Sequence, residues 1–452
     1  MKKNRIIIFI IFVLTLGCKT ANIEAQQSWA EELIAPIERG NTSSVTIETE
    51  YDVVNSIDNG TAFLNKHFMN WGNLTPIIMT YTGNNGSVSI CCADKNSRNI
   101  YIYEYTKDLV YIKTMQFQNP FDKFGAFTKD NEGNYYIFSA NDVPEGAFNQ
   151  NNMALVKYDA GGKQTAIFNL PAQTTNEKWA PGYSGVKIPF STGSCKMEIS
   201  GDWIAVYFAR QMFIAPDRAN HQASYGFILN KNNLTRISNI TMPSAGHSFN
   251  QYIMPIENGF IFIDQGDVGP RGFYFSRVLS DGNNKSITSF AFKRGSTYQN
   301  TFSQLGGLAK TNSGYIFAGT YEKNTIVSSE HNDSRNVFVL TFDNELNRIS
   351  QPVWITNYNN KDNDNAASPK IVELYSRRYL IMWELMTKNS YKSTYMTIID
   401  DKGNRLVPIK ELRNVRLNIN DTLRYNIING NVYWAVNSGN RQIKVYAFNP
   451  DE

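Results

Sequence analysis

Short apolar runs recur along the chain, each closed by a turn of Asn, Gly, Asp or Ser. They are SVSICC (87–92), NYYIFSA (134–140), WIAVYFA (203–209), GFIFIDQ (259–265), YIFAGTY (315–321), YLIMWEL (379–385) and VYWAVNS (432–438). Aromatic and β-branched residues in runs of this length predict strands, since they suit pleated, half-buried surfaces. Most of these strands follow a glycine turn: Gly86, Gly133, Gly201, Gly259, Gly314 and Gly430. The glycines lie 47 to 68 residues apart, with one doubled interval of 116 where Ser376-Arg377-Arg378 takes the turn. A second turn follows within each unit, at Asp159-Ala160-Gly161-Gly162, Asn230-Lys231-Asn232-Asn233, Asp281-Gly282-Asn283, Asp343-Asn344-Glu345 and Asp401-Lys402-Gly403. Such turns between strands predict antiparallel hairpins.

The chain also repeats itself outright. FGAFTKDNEGNYYIF (124–138) and LGGLAKTNSGYIF (305–317) share an apolar–Gly–small–apolar–small–Lys start, 181 residues apart. That separation suits three units of a repeat. Internal repetition at this period marks a solenoid, propeller or array. Units of 50–60 residues with about four strands each predict an all-β protein, a seven-bladed β-propeller over residues 44–452. A count of six or eight blades also suits the rhythm. Stacking the blades around an axis buries the faces that a single sheet would leave open. The last unit offers only 423–428, 432–438 and 442–449, one strand short of four. The alternating segment SVTIETEYDVV (44–54) has no unit of its own, so it is expected to close the last blade.

The first residues carry an address. Lys2, Lys3 and Arg5 precede an apolar stretch, Ile6–Leu16, too short for a spanning helix. Leu14-Thr15-Leu16-Gly17-Cys18 resembles the lipobox of bacterial lipoproteins, although Thr15 stands where that family favours Leu. The resemblance implies a signal peptide over 1–17, lipidation of Cys18, and an envelope protein held to the membrane by that anchor alone, periplasmic or at the cell surface. An ordinary secretory signal cut after Ala25 is the alternative. Residues 18–43 are expected to form a tether with one short helix, because Ser28-Trp29-Ala30-Glu31 has the capping-box pattern ahead of Leu33, Ile34 and Ile37.

Charge adds little. Without residues 1–17 the chain has 41 Lys and Arg against 40 Asp and Glu, and no basic stripe, so nucleic acid is not an expected partner. Cys91, Cys92 and Cys195 remain beside Cys18, an odd number that argues against a disulfide framework. Adjacent Cys91 and Cys92 should point to opposite faces of one strand.

Candidate chemistry gathers in the third and fourth units, on the face formed by loops between second and third strands and between blades. Arg210 follows WIAVYFA, and His221, His247, Asp264, Asp267 and Arg271 lie in the loops and strand ends beyond it. His221 and His247 could exchange protons with Asp267 orienting one of them, while Arg210, Asp264 and Arg271 would hold a ligand. Each also has a plain structural reading. Asp267 could cap its own Gly-rich turn, and His247 could be a core residue. Trp179 and Tyr183 in EKWAPGYSG could stack on a sugar or cap the propeller. Asp362 and Asp364 in NNKDNDNAAS are a weak calcium candidate, and no other cofactor is expected. A Ser-x-Asp-x-Gly-x-x-Trp box, which would favour a sialidase-like propeller, does not occur.

Asn220-His221-Gln222, His247 to Gln251 and Gly266-Asp267-Val268-Gly269-Pro270-Arg271-Gly272 occur in this order. Over residues 220–272 the chain resembles secreted bacterial propeller proteins of uncharacterised role, which implies a shared scaffold and points to no particular activity. The first functional expectation is binding of a glycan fragment or an envelope protein through that face. The second is a lyase or hydrolase acting on a polysaccharide or a small anion with the His/Asp/Arg set. The third is a structural subunit of an envelope assembly.

Overall fold

The computed structural model describes residues 29–33, 42–49, 78–173, 185–191, 194–237, 242–243, 246, 248–266, 272–291, 303–323, 334–359, 363–388, 390–439 and 441–451. Among them every regular element is a strand. The strands form seven antiparallel sheets. Blade one is Ile78–Thr82, Val88–Ala93, Asn99–Tyr105 and Tyr111–Gln118, and blade two is Lys123–Lys129, Tyr135–Ala140, Asn151–Tyr158 and Gln164–Pro171. Blades four, five and six repeat this order from Ser248–Ile256, Gln304–Lys310 and Asp364–Glu373. Blade three has three long strands, Cys195–Ser200, Trp203–Ile214 and Asn220–Asn230, with the short Ile188–Pro189 paired beside Arg210 and Gln211. The first strands of successive blades touch one another in order, and that of blade seven touches that of blade one, so the ring is closed. The protein is a seven-bladed β-propeller.

Closure uses both ends of the chain. Blade seven runs Arg424–Tyr425, Val432–Gly439, Gln442–Phe448 and then Thr42–Glu48, with Val45 opposite Val445 and Ile47 opposite Ile443. This is the fourth strand expected from the alternating segment, paired over 42–48. The capping-box helix is a correction. Trp29–Leu33 is instead a fifth strand, paired with Thr42–Glu48. A local cap signal is weak beside a sheet edge whose N–H and C=O groups await partners.

The second strands are buried along their whole length in blades one, two, four and five. Each is covered by a neighbouring blade on both faces, so alternation of polarity disappears from the sequence. Cys91 and Cys92 show this well. They face different cores, Cys91 toward blade two and Cys92 toward blade seven, and neither thiol is exposed or joined in a disulfide. Trp383 and Trp434 are buried between blades, where each indole N–H donates a hydrogen bond, to Tyr358 Oη at 2.9 Å and to the Arg416 carbonyl at 2.8 Å. Trp203 is half-buried.

Aspartates organise the turns. Asp159 Oδ1 accepts from the N–H groups of Gly161 and Lys163, and Asp343 Oδ1 from those of Glu345 and Asn347. In blade six this cap is Asp400, one residue before the expected Asp401. These short carboxylates replace backbone partners that a tight turn cannot supply.

The repeated Gly motif also has a mechanical cause. It lies on the first strands of blades two and five, three blades apart, and at each site a bulge interrupts the register. A Cβ on Gly125 would come within 2.5 Å of the Phe190 ring, and one on Gly306 within 2.8 Å of the Ala318 carbonyl. Gly306→Ala is therefore expected to lower stability by about 1–3 kcal/mol, because backbone on both sides resists moving. Urea unfolding measures this, and an unchanged midpoint would refute the close-packing account.

Candidate functional site

Each first strand begins at the face carrying the loops between blades and ends at the face carrying its hairpin to the second strand. These are called here the loop face and the hairpin face. Of the residues singled out by sequence, Arg210, His221, Asp264 and Asp364 are described, and they belong to the loop face. Arg210 is fully buried on the second strand of blade three, where Nη1 donates to the Gly185 carbonyl at 2.9 Å and the guanidinium lies 5.0 Å from the Tyr225 ring centre. Asp264, 2% exposed, accepts the Tyr207 hydroxyl at 2.8 Å. Burial first, then the Asp264 charge, pushes the Tyr207 phenol up. His221 is half-exposed and its Nε2 lies 2.8 Å from Asp217 Oδ2. Arg210 and Asp264 are thus sealed into the wall, and His221 is engaged four residues away. His247, Asp267, Arg271, Trp179, Tyr183, Asp362 and Cys18 lie outside the described residues. Asp364 opens the first strand of blade six and accepts the Thr387 hydroxyl at 2.5 Å.

A recess of about 580 Å³ opens at the hairpin face on the propeller axis. Its walls come from the ends of first strands and from hairpin tips: Tyr252 of blade four, Leu308 and Lys310 of blade five, Glu373 and Tyr375 of blade six, and Arg424 of blade seven. Tyr252 ties two walls together by donating to the Leu308 carbonyl at 3.1 Å. Tyr375 stands at a hairpin tip with 68% of its surface exposed, and Ile427 at the next tip with 71%. Burial raises the Glu373 carboxyl, and the Lys310 ammonium nearby opposes that.

Inward of this recess, charged groups are buried on the axis. Neighbouring first strands meet without a backbone ladder, so groups facing the axis need side-chain partners. The segment preceding Arg424 supplies many of them. Asp421 Oδ1 accepts the N–H groups of Thr80 and Thr422 at 3.1 and 2.9 Å. Lys370 Nζ donates to the Ile419 carbonyl at 2.9 Å and to the Asp421 carbonyl, and Lys196 Nζ donates to the Asn420 carbonyl. Arg424 reaches across the axis to Glu198 of blade three at 2.7 Å, and its Nε donates to the Thr80 carbonyl of blade one at 3.0 Å. One segment of blade seven thereby joins blades one, three and six. Burial pulls the Lys196 ammonium down to about 8 and that of Lys370 to about 7, and pushes the Asp421 carboxyl up.

None of these five charged residues stood out in the sequence. A signal was present in CKMEIS, where Lys196 and Glu198 alternate with buried Cys195 and Met197. Alternation of that kind reads as one wet face. The fold turns that face toward the axis instead.

No family model matches the chain, and no curated protein matches it. Several solved structures are similar at low identity. Hydrazine synthase of Kuenenia stuttgartiensis aligns over 80% of this chain and 92% of its own at 10% identity, with a TM-score of 0.45. A protein of unknown function from Dyadobacter fermentans aligns over 78% and 99% at 9% identity, TM-score 0.42. A quinonprotein alcohol dehydrogenase-like protein from Bacteroides thetaiotaomicron aligns over 87% and 91% at 9% identity, TM-score 0.40. Likenesses this distant carry no weight for function, and the fold assignment rests on the seven sheets themselves.

Proposed function

We propose that this propeller is a binding protein of the bacterial envelope, anchored through a lipidated Cys18, which takes a glycan fragment into the axial recess. One observation carries the reading: a concave site of about 580 Å³ whose rim combines an exposed Tyr375 ring with the Lys310 and Glu373 side chains. That volume falls within the range of about 300–1,000 Å³ common for small-ligand pockets. An aromatic ring can cover the C–H face of a sugar, while an ammonium donates to its hydroxyl edge and a carboxylate accepts from it. This moves the expected binding surface from the loop face to the hairpin face. The catalytic alternative on the loop face gains nothing from the described side chains, because Arg210 and Asp264 are sealed by protein partners and His221 is held by Asp217.

A glycan array probed with the full-length protein, followed by titration of the hits, tests the reading. Tyr375→Ala is expected to weaken binding at least tenfold with an unchanged melting temperature, since the ring is mostly exposed. His247→Ala is expected to leave binding unchanged. The reverse pattern would return the site to the loop face.

A further inference from the structure

The buried polar groups inward of the recess are unevenly paired. Lys196, Lys370 and Arg424 lie among the carboxylates Glu198, Asp421 and Glu384. Donors are left over. Lys370 places two of its three N–H donors on carbonyls and Lys196 one of its three. Asn420 is 6% exposed, and its Nδ2 makes no hydrogen bond to a described residue. Asp421 Oδ2 is left over on the acceptor side.

Arg424 links this cluster to open space. It belongs to the recess wall, yet its Nη2 is fixed by Glu198 and its Nε by the Thr80 carbonyl. Its remaining nitrogen, Nη1, has no hydrogen-bond partner among the described residues, and a quarter of the side chain is exposed. A guanidinium immobilised at two nitrogens and bare at the third is preorganised to meet an anionic oxygen, since little further rotamer freedom is lost on binding. The surrounding protein screens the charge of this guanidinium less than water would.

We propose that the recess takes an acidic ligand, with a carboxylate or similar anionic oxygen held by Arg424 Nη1 at the inner wall and the rest of the molecule lying toward Tyr375. This deepens the glycan reading, on whose recess it rests, and narrows the ligand to an acidic sugar or a fragment ending in one. Glu373 and Lys310 at the mouth offset each other, so selection for the anion is made at the inner wall.

Calorimetric titration of the full-length protein with glucose, glucosamine and glucuronate, and a thermal-shift series with acetate, test the proposal. Glucuronate is expected to bind at least tenfold more tightly than glucose, with an advantage that shrinks as sodium chloride is raised. Arg424→Lys, which keeps a charge for Glu198, is expected to erase the advantage. Equal affinity for glucose and glucuronate would overturn the acidic specificity and leave the recess reading standing. If no sugar binds but acetate stabilises the parent and not Arg424→Lys, the anion site stands and the glycan reading fails. If neither acid has an effect, the anion site is refuted. Should Arg424→Lys not fold, the parent's ratio of glucuronate to glucose affinity decides without it.

Discussion

Ile47→Asp is expected to abolish stable closure of the ring, with a loss of at least about 3 kcal/mol, while Ile47→Val costs about 1 kcal/mol. Ile47 has no exposed surface, sits opposite Ile443, and packs into the core shared by blades seven and one. A carboxylate there would be surrounded by the apolar side chains of that cluster, so it is either desolvated or forces the strand off the sheet. Losing the strand would uncover the Gln442–Phe448 edge and open the seam. Urea unfolding and limited proteolysis measure the effect. An Ile47→Asp variant as stable as Ile47→Val would mean that Thr42–Glu48 does not hold the ring together.

Thermal stability is expected to rise from pH 7 to about pH 9 and to fall steeply beyond pH 10. The rise comes from Lys196 and Lys370, whose ammonium groups are pulled by burial to about 8 and about 7 from an ordinary 10.5. Between the folded and ordinary values the unfolded chain binds protons that the folded chain has released, so stability grows with pH across that window. The gain is about 2 kcal/mol between pH 7 and 9. The fall comes from buried phenols. Tyr81, Tyr252 and Tyr446 are pushed up to about 12 from 10.0, chiefly by burial. Their contribution is intact below pH 10 and is lost as pH rises through the folded value. The carboxyls of Asp421 and Glu384, raised by burial, act at the acid end, where stability declines as pH climbs through their folded values. Melting curves from pH 6 to 11 test the profile. Lys370→Met should flatten the rise, and a parent profile that falls between pH 7 and 9 would sink the account.

Much of the architecture could be read from residue types because the constraints were local. Gly125 and Gly306 sit where a methyl would strike an aromatic ring or a carbonyl, so the motif appears in both blades that share that bulge. Asp159, Asp281 and Asp343 cap the hairpins their spacing predicts. The missing strand of the last unit was legible as a deficit matched by a surplus near the start. Trp29–Leu33 was misread because Ser28 and Glu31 satisfy a helix-cap pattern, while the deciding partner, Thr42–Glu48, offers a free edge that no local pattern reveals. The axial charges were illegible for another reason. Lys196, Glu198 and Lys370 alternate along first strands as solvent-facing residues would, and only ring closure turns that side inward. The residues favoured by sequence had the opposite fate. Arg210 and Asp264 look like ligand contacts in a loop-rich region, but their strands run far enough to draw both beneath the surface.

Joining the first and last strands has a consequence in time. Ser43 and Ala447, which share a hydrogen bond in the closing sheet, are 404 positions apart in the chain. Synthesis at roughly 5–20 residues per second leaves the early strand without its mate for about 20–80 s. Through that interval Val45 and Ile47 stay uncovered, and six nascent blades accumulate with nothing to complete the circle. Ring closure therefore waits for Gln442–Phe448 to emerge, which gives a holding chaperone a long period in which to act on a polypeptide that cannot yet lock.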